Sequence, residues 1–349
     1  MMLEPLVFHH DRKTTLAGLR EAFNAVPPAP PAMSFAEYSA LSSRDRDAYD
    51  QARHDFMHLT LRVRTPEQEL SAQRLTRLLA SNPRRPNSRR GLMISGPMFH
   101  GKTELAMWLG RSVEQKHAAC HPLYKDNGEV PVVWVEMTDH ATGKALLSQI
   151  INFLAPTAVV PTRATTEELR RRTVDLLHAH RTKMLVIDEA HTLGGSEPSS
   201  VIKSLQNESS ATVVLVGIDL GGGRAFGKGD GLQVTTRCDI ITVRKVDADT
   251  ESGRALWKRW VAIFDRNLPL CDHDPGMLTH NAPALQRAAG GHLARLALII
   301  ERLLASILDD PTRRDEKVTP QRLFETLDNL GRTTPMLKNI KLEDLSEAA

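Results

Sequence analysis

GLMISGPMFHGKTEL, residues 91–105, is the stretch on which the fold turns. It opens as a short apolar strand, breaks at Gly96, and passes through a loop into the helical sequence ELAMWLGRSVEQK. Gly96-Pro97-Met98-Phe99-His100-Gly101-Lys102-Thr103 fits G-x-x-x-x-G-K-[ST] in the strand–loop–helix setting that gives the pattern its meaning. Glycines let successive backbone N–H groups turn inward around phosphates, and the helix that follows, starting with Lys102, Thr103 and Glu104, aims its positive dipole end at them. Lys102 is placed to reach the β and γ phosphates, and Thr103 to hold Mg²⁺ through its hydroxyl.

Working outward, Val130 to Asp139 is nearly continuous in apolar residues, as a parallel strand covered on both faces should be. Helical patterns follow at Lys144 to Leu154 and at Glu167 to His180, the second announced by Thr165 with Glu168 three positions on. The strand Met184 to His191 then delivers Asp188 and Glu189 about 86 residues after Lys102. A bend at a strand end brings both carboxylates to one side, with Asp188 ordering magnesium and Glu189 orienting and deprotonating the attacking water. The last strand of this series, ATVVLVGID, ends at Asp219. Strands alternating with helices imply a parallel sheet with its ligand beyond the carboxyl ends of the strands.

These two motifs together read as ATP hydrolysis. GTP is disfavoured because no N-K-x-D tetrad for guanine occurs, and the letters D-E-A-H at Asp188–His191 do not make a helicase without the further motifs of a two-lobed core. The chain has 349 residues, 41% hydrophobic and 25% charged, with 45 basic against 42 acidic residues, so a formal charge of +3 provides no overall polycation. Nucleic-acid binding would therefore need a local patch. Cys120, Cys238 and Cys271 are scattered and odd in number, which argues against a disulfide framework and a cysteine-rich zinc site. No run approaches the roughly 18 apolar residues that span a bilayer, and the opening residues lack a secretory core. The expectation is a cytoplasmic protein with no membrane partner.

Residues 1–60 read as an N-terminal arm, with a proline-rich stretch around Pro27 to Pro31 and then a polar helix; it either docks on a neighbouring subunit or is a surface appendage. A capped helix is expected from Thr65 to Ser81. After about Asp247 the strand pattern ceases. Helices are expected at 250–267, 283–310 and 319–330, and Trp257, Trp260, Val261 and Phe264 share one helix face assigned to a core. The expected division is thus arm 1–60, P-loop core 61–248, helical lid 249–332 and tail 333–349.

On these residues the sequence resembles AAA+ ATPases, and more narrowly the TniB, TnsC and MuB type of transposition regulator. Further markers are Pro131 to Met137, Ile202 to Glu208 before Val213 to Gly217, Gln233-Val234-Thr235-Thr236-Arg237, and Gly290-Gly291-His292-Leu293. The resemblance implies an AAA+ P-loop α/β domain of three layers with a central parallel sheet and a small all-helical lid. It also implies a homo-oligomer, a ring or helical filament on duplex DNA, with ATP and Mg²⁺ held between subunits, that hands a target site to a transposase and works with a target-selection protein. Within it Arg237 is the candidate arginine finger and Arg295 the candidate sensor of bound nucleotide. The sequence departs from the pattern at Gly217-Ile218-Asp219, where a small polar sensor is usual, and at Cys238, where an aromatic is usual. The intervening LGGGRAFGKGDG is either a flexible connector or a loop whose Arg224 and Lys228 contact DNA or a neighbour.

The family's DNA channel points to Lys116, Lys125 and Lys144, while Arg84, Arg85, Arg89 and Arg90 form the densest basic cluster. With no base-reading motif, contacts to the phosphate backbone and little sequence preference are expected. Two other readings stay open, a signalling or defence switch that uses nucleotide as a lock, and a helicase loader acting through protein contacts.

Overall fold

The structure is a computed structural model describing residues 12–59, 63–159, 161, 163–193, 196–223, 226–227, 229–333 and 340–346. Arg224 and Lys228 lie outside the described residues, as do the first eleven. In chain order the elements are α1 (Leu16–Asn24), α2 (Phe35–Ala40), α3 (Ser43–Leu59), α4 (Pro66–Ser81), β1 (Gly91–Ser95), α5 (Lys102–Cys120), β2 (Val132–Glu136), α6 (Gly143–Leu154) and α7 (Thr166–Ala179). They continue with β3 (Met184–Asp188), α8 (Ser196–Glu208), β4 (Thr212–Gly217), α9 (Gly229–Thr236), β5 (Cys238–Thr242), α10 (Glu251–Arg266), α11 (Met277–His280), α12 (Ala282–Ala289), α13 (Leu293–Leu308) and α14 (Pro320–Thr333). Capping decides several starts. Thr65 and Gln68, like Thr165 and Glu168, exchange side-chain and backbone hydrogen bonds across the first turns of α4 and α7.

The chain packs as two compact units. One comprises His9–Asn24 and Arg64–Val243. Its parallel sheet has the order β2-β3-β4-β1-β5, with helices on the faces, as an AAA+ P-loop fold requires. Strands β1, β3 and β4 are buried along their whole length, which is why each reads as an uninterrupted apolar run. The fifth strand was not expected from the sequence. Among the described residues β5 is an edge strand paired only to β1, and its polar and half-exposed residues break the apolar signature.

The expected arm is divided by packing. In α1, Leu19 and Phe23 are buried in the core around the sheet, and Arg20 donates to Glu114 and to the Glu129 carbonyl. Phe23 lies so close over α5 that a Cβ at Gly110 would stand 2.9 Å from its ring. Residues further on, Ala25–Val63, belong to the second unit together with Arg244–Ala349. There Arg53 is fully buried, donates to Glu316 at 2.6 Å, pairs with Asp50, and stacks on Tyr38 and Tyr49 with 5.2 and 4.6 Å to the ring centroids. The α10 face of Trp257, Trp260, Val261 and Phe264 is core, as its spacing indicates. The apolar pattern over 283–310 is two helices rather than one. Gly290 and Gly291 both take positive φ, and a Cβ at Gly291 would stand 2.2 Å from the Val246 carbonyl oxygen.

Among the described residues the three cysteines are free and no helix is long and apolar enough to cross a membrane.

Candidate functional site

The carboxyl ends of β1 and β3 build the site. After Ser95 the chain turns at Gly96, where a Cβ would stand 2.6 Å from the Val243 carbonyl oxygen, so only glycine lets the loop start so close to the segment leaving β5. Pro97, Met98 and Phe99 are exposed, Phe99 in a left-handed conformation, and His100 Nδ1 lies 2.7 Å from the Met98 carbonyl oxygen. Gly101 caps α5 at φ 78°, with open space where a side chain would be. The loop's concave side is thereby left to backbone N–H groups and the helix end. Glu104 is exposed in the first turn of α5.

Lys102 is 8% exposed and folds back so that Nζ donates to the Pro97 carbonyl at 2.7 Å. Burial lowers its pKa below the ordinary value, while the Glu189 and Asp188 carboxylates pull in the other direction. The lysine is thus held inside the loop it serves and faces the acidic pair. Thr103 Oγ1 donates to Asp188 Oδ1 at 3.4 Å, although β4 separates β3 from β1 in the sheet.

Asp188 is 1% exposed and ends β3. The next residue, Glu189, turns left-handed at φ 54°, which supplies the bend that brings neighbouring carboxylates to one side. Its backbone N–H donates to Asp188 Oδ1 at 3.0 Å, and its carboxylate lies 3.4 Å from His191 Nδ1. A left-handed non-glycine residue at a strand end is the kind of strain found where function demands it.

Lys13, which the sequence reading did not single out, also belongs here. Its ammonium donates to Asp188 Oδ2 at 3.0 Å, lies 3.1 Å from Glu136 Oε2, and sits 5.1 Å from the centre of the Trp134 ring. Burial would lower its pKa, but the two carboxylates outweigh burial and hold it above the ordinary value. Lys13 and Asp188 are 175 residues apart, and no local pattern marks the pair.

The donor set suits a magnesium nucleotide. A threonine hydroxyl and a nearly inaccessible carboxylate meet at one corner, and a lysine ammonium already stands against that carboxylate as a cation. Among the described residues no group of three or more His, Cys, Asp or Glu forms a metal cage of its own. Thr103 and Asp188 would therefore hold Mg²⁺ together with phosphate oxygens, as that small ion commonly requires.

Other candidates lie elsewhere. Arg237 follows α9 and precedes β5; its carbonyl accepts from Gly91 N–H at the start of β1, and Nη1 donates to Asn207 Oδ1 at 2.9 Å. Since the P-loop begins at the other end of β1, about 13 Å away along the strand, Arg237 does not face its own protomer's loop. Arg295 is in the first turn of α13 in the helical unit, with its guanidinium folded toward Gly290. Asp219 is left-handed at φ 43°, and its carbonyl accepts from Gly223 N–H.

The three lysines do not form one patch. Lys116 lies about 21 Å along α5 from Lys102, and Lys125 is in the loop beyond that helix, both toward the end of the sheet opposite the P-loop. Lys144 opens α6 after the carboxyl end of β2, on the P-loop side. The basic cluster is partly structural. Arg89 donates to the carbonyls of Asn82, Asn207 and Ser209, Arg84 to that of Ala80, and Arg90 pairs with Asp239.

The family model described as bacterial TniB protein matches residues 56–224, just under half of the chain. That segment contains β1 to β4, the P-loop and the acidic pair, whereas Arg237 and Arg295 lie beyond it. A comparison with curated proteins finds no match. Similar solved structures include the Aeropyrum pernix Orc1 protein in complex with DNA, at 18% identity and TM-score 0.51 over 80% of this chain and 68% of that one. The Aeropyrum pernix ORC2 protein, solved in ADPNP and ADP complexes, is similar at 15% identity and TM-score 0.53, over 77% and 68%. Cdc6p from Pyrobaculum aerophilum is similar at 17% identity and TM-score 0.50, over 76% and 68%. At these identities the likeness is one of fold. The P-loop and the acidic strand end, in contact with each other, both fall within residues 56–224, the segment that is similar to bacterial TniB protein.

Proposed function

From the similarity to bacterial TniB protein and the assembled P-loop site, we propose that this protein is an ATP-dependent, DNA-binding regulator of transposition. It assembles on target DNA as a homo-oligomer in the ATP state, presents that DNA to a partner transposase, and disassembles after hydrolysis. What carries the reading is that the match to bacterial TniB protein falls on the same residues, 56–224, that bring Thr103 and Asp188 to one corner. Orc1, whose fold is similar, was solved bound to DNA, which agrees with a duplex partner.

In this reading Lys102 and the P-loop N–H groups bind the phosphates, with Gly96 and Gly101 permitting the loop's path. Thr103 and Asp188 would hold Mg²⁺, which would supply positive charge against the phosphates. Glu189 orients the attacking water and accepts its proton. Positioning and fixed charge provide most of the acceleration. Arg237 is assigned to the γ-phosphate of a neighbouring protomer, because it is anchored at the amino end of β5, away from its own P-loop. Arg295 is assigned to sensing bound nucleotide. Lys116, Lys125 and Lys144 are assigned as separate phosphate-backbone contacts, multiplied by assembly.

Electron microscopy of the protein with duplex DNA and a non-hydrolysable ATP analogue tests this directly. Rings or helical filaments on the duplex are expected. Affinity should fall with log salt at about −0.9 per phosphate neutralised. Absence of duplex binding at low salt with ATP and Mg²⁺ would remove the DNA role and favour a nucleotide lock acting through protein contacts.

A further inference from the structure

The cation at the acidic end of the site comes from the segment just before α1, and its placement is built rather than incidental. Thr15 accepts from Gly18 N–H at 3.1 Å and donates to the Arg12 carbonyl at 2.9 Å, which fixes the turn into α1. The helix is then clamped by buried Leu19 and Phe23 and by Arg20 on Glu114. Those anchors deliver the Lys13 ammonium over the Trp134 ring to the ends of β2 and β3.

At that point a charge problem exists. Glu136 and Asp188 are register partners on adjacent parallel strands, and Glu189 follows directly, so three carboxylates meet at one strand end. Like charges side by side across a sheet are destabilising, the more so where one is buried. Both Asp188 oxygens are engaged. Oδ1 accepts from Thr103 and from Glu189 N–H, and Oδ2 accepts from Lys13.

We propose that Lys13 is a positioning residue of the nucleotide site: its ammonium is the resident cation that holds Asp188 and Glu136 and lowers the dependence of ATP binding on Mg²⁺. This rests on the nucleotide-site reading above. ATP without a metal carries several negative charges, and against it stand three carboxylates with only Lys102 inside the loop. A second ammonium beside Asp188 offsets part of that repulsion when no divalent ion contributes charge. By turning Oδ2 toward itself, Lys13 also leaves Oδ1 facing Thr103.

The test is equilibrium binding of ATP by calorimetry, once in EDTA and once with saturating Mg²⁺, with the ratio of the two Kd values as the readout. Lys13→Met keeps an unbranched side chain and removes the charge; the ratio should rise by about tenfold, the equivalent of about 1.4 kcal/mol. Lys13→Arg should leave it near the parental value. Adding Glu136→Gln to Lys13→Met removes one carboxylate and should bring the ratio back toward the parent, an outcome that a general folding defect would not produce. An unchanged or smaller ratio in Lys13→Met overturns the proposal, the smaller ratio showing that Lys13 obstructs the metal instead. Failure of the parental protein to bind ATP in either condition would overturn the nucleotide-site reading itself, and this proposal with it.

Discussion

Thr103 Oγ1 stands 3.4 Å from Asp188 Oδ1, so the first turn of α5 and the end of β3 share one corner although 85 residues separate them. That contact makes the loop and the acidic strand end parts of one site, and the roles of the surrounding residues can be tested separately.

Lys102 and Glu189 should fail in different ways. Lys102→Ala removes a buried ammonium from the loop and should weaken ATP binding by about 2 to 5 kcal/mol, measured by equilibrium binding. Glu189→Gln keeps the shape of the site and removes the base. It should retain ATP, slow hydrolysis by about 10² to 10⁴, and hold the assembled state on DNA. A Glu189→Gln protein hydrolysing at the parental rate would refute the assigned base.

Gly96 should tolerate nothing larger. A Cβ there meets the Val243 carbonyl oxygen at 2.6 Å, and backbone cannot swing aside as a flexible side chain does. Gly96→Ala should cost about 1 to 3 kcal/mol through forced backbone shifts, read as a lower Tm, and should weaken ATP binding because the loop's entry is displaced. A variant with parental Tm and affinity would show that the loop adapts.

Acid should destabilise the end of the sheet opposite the P-loop. His117 is buried, its Nε2 lies 2.6 Å from Glu129 Oε2, and its buried Nδ1 has no hydrogen-bond partner. With Nε2–H donating to the carboxylate, protonation would add an N–H at Nδ1 with nothing to accept it. Burial accordingly keeps the His117 pKa below 6.5 despite Glu129. The unfolded chain then binds more protons than the folded one as pH falls through 6.5, so stability declines there. Glu129 adds to the decline at lower pH: burial would raise its pKa, but His117 and Arg181 hold it below 4.5, so its contribution is lost as pH falls through the folded value. Thermal unfolding at pH 7.5 and 5.5 should show a smaller drop in His117→Gln, which keeps a donor and cannot titrate; an equal drop would assign the effect elsewhere.

The motifs were legible because their geometry is local. Gly96 to Thr103 encodes a loop and a helix start, and the buried strands β1, β3 and β4 announce themselves as apolar runs. The edge strand β5 was not legible, since Asp239 and a half-exposed face make it resemble a loop. α1 was hidden for a related reason: its buried face is little more than Leu19 and Phe23, which gain meaning only against α5. Charge was the poorest guide. Arg89, part of the densest basic cluster, is used to bind backbone carbonyls, while isolated Lys13 reaches a carboxylate 175 residues away. Side chains that act through long-range contacts leave no periodic trace in the chain.

The position of Arg237 leads to a prediction about assembly. Its carbonyl is paired to Gly91 and its guanidinium to Asn207, both at the amino end of the strands, whereas the P-loop leaves from the carboxyl end. As the proposed finger it would act across a head-to-tail interface, and its loss should slow hydrolysis by about 10³ to 10⁵ without weakening ATP binding. Arg237→Ala keeps a nucleotide site and lacks the finger; Lys102→Ala keeps the finger and lacks the site. Each is inactive alone, yet in a random equimolar mixture about a quarter of interfaces should pair an intact site with an intact finger. ATPase activity measured across mixing ratios should therefore rise from near zero at both ends to a maximum at equal proportions. A flat profile near zero, from a mixture that mass measurement shows to be co-assembled, would place Arg237 outside the neighbour's site.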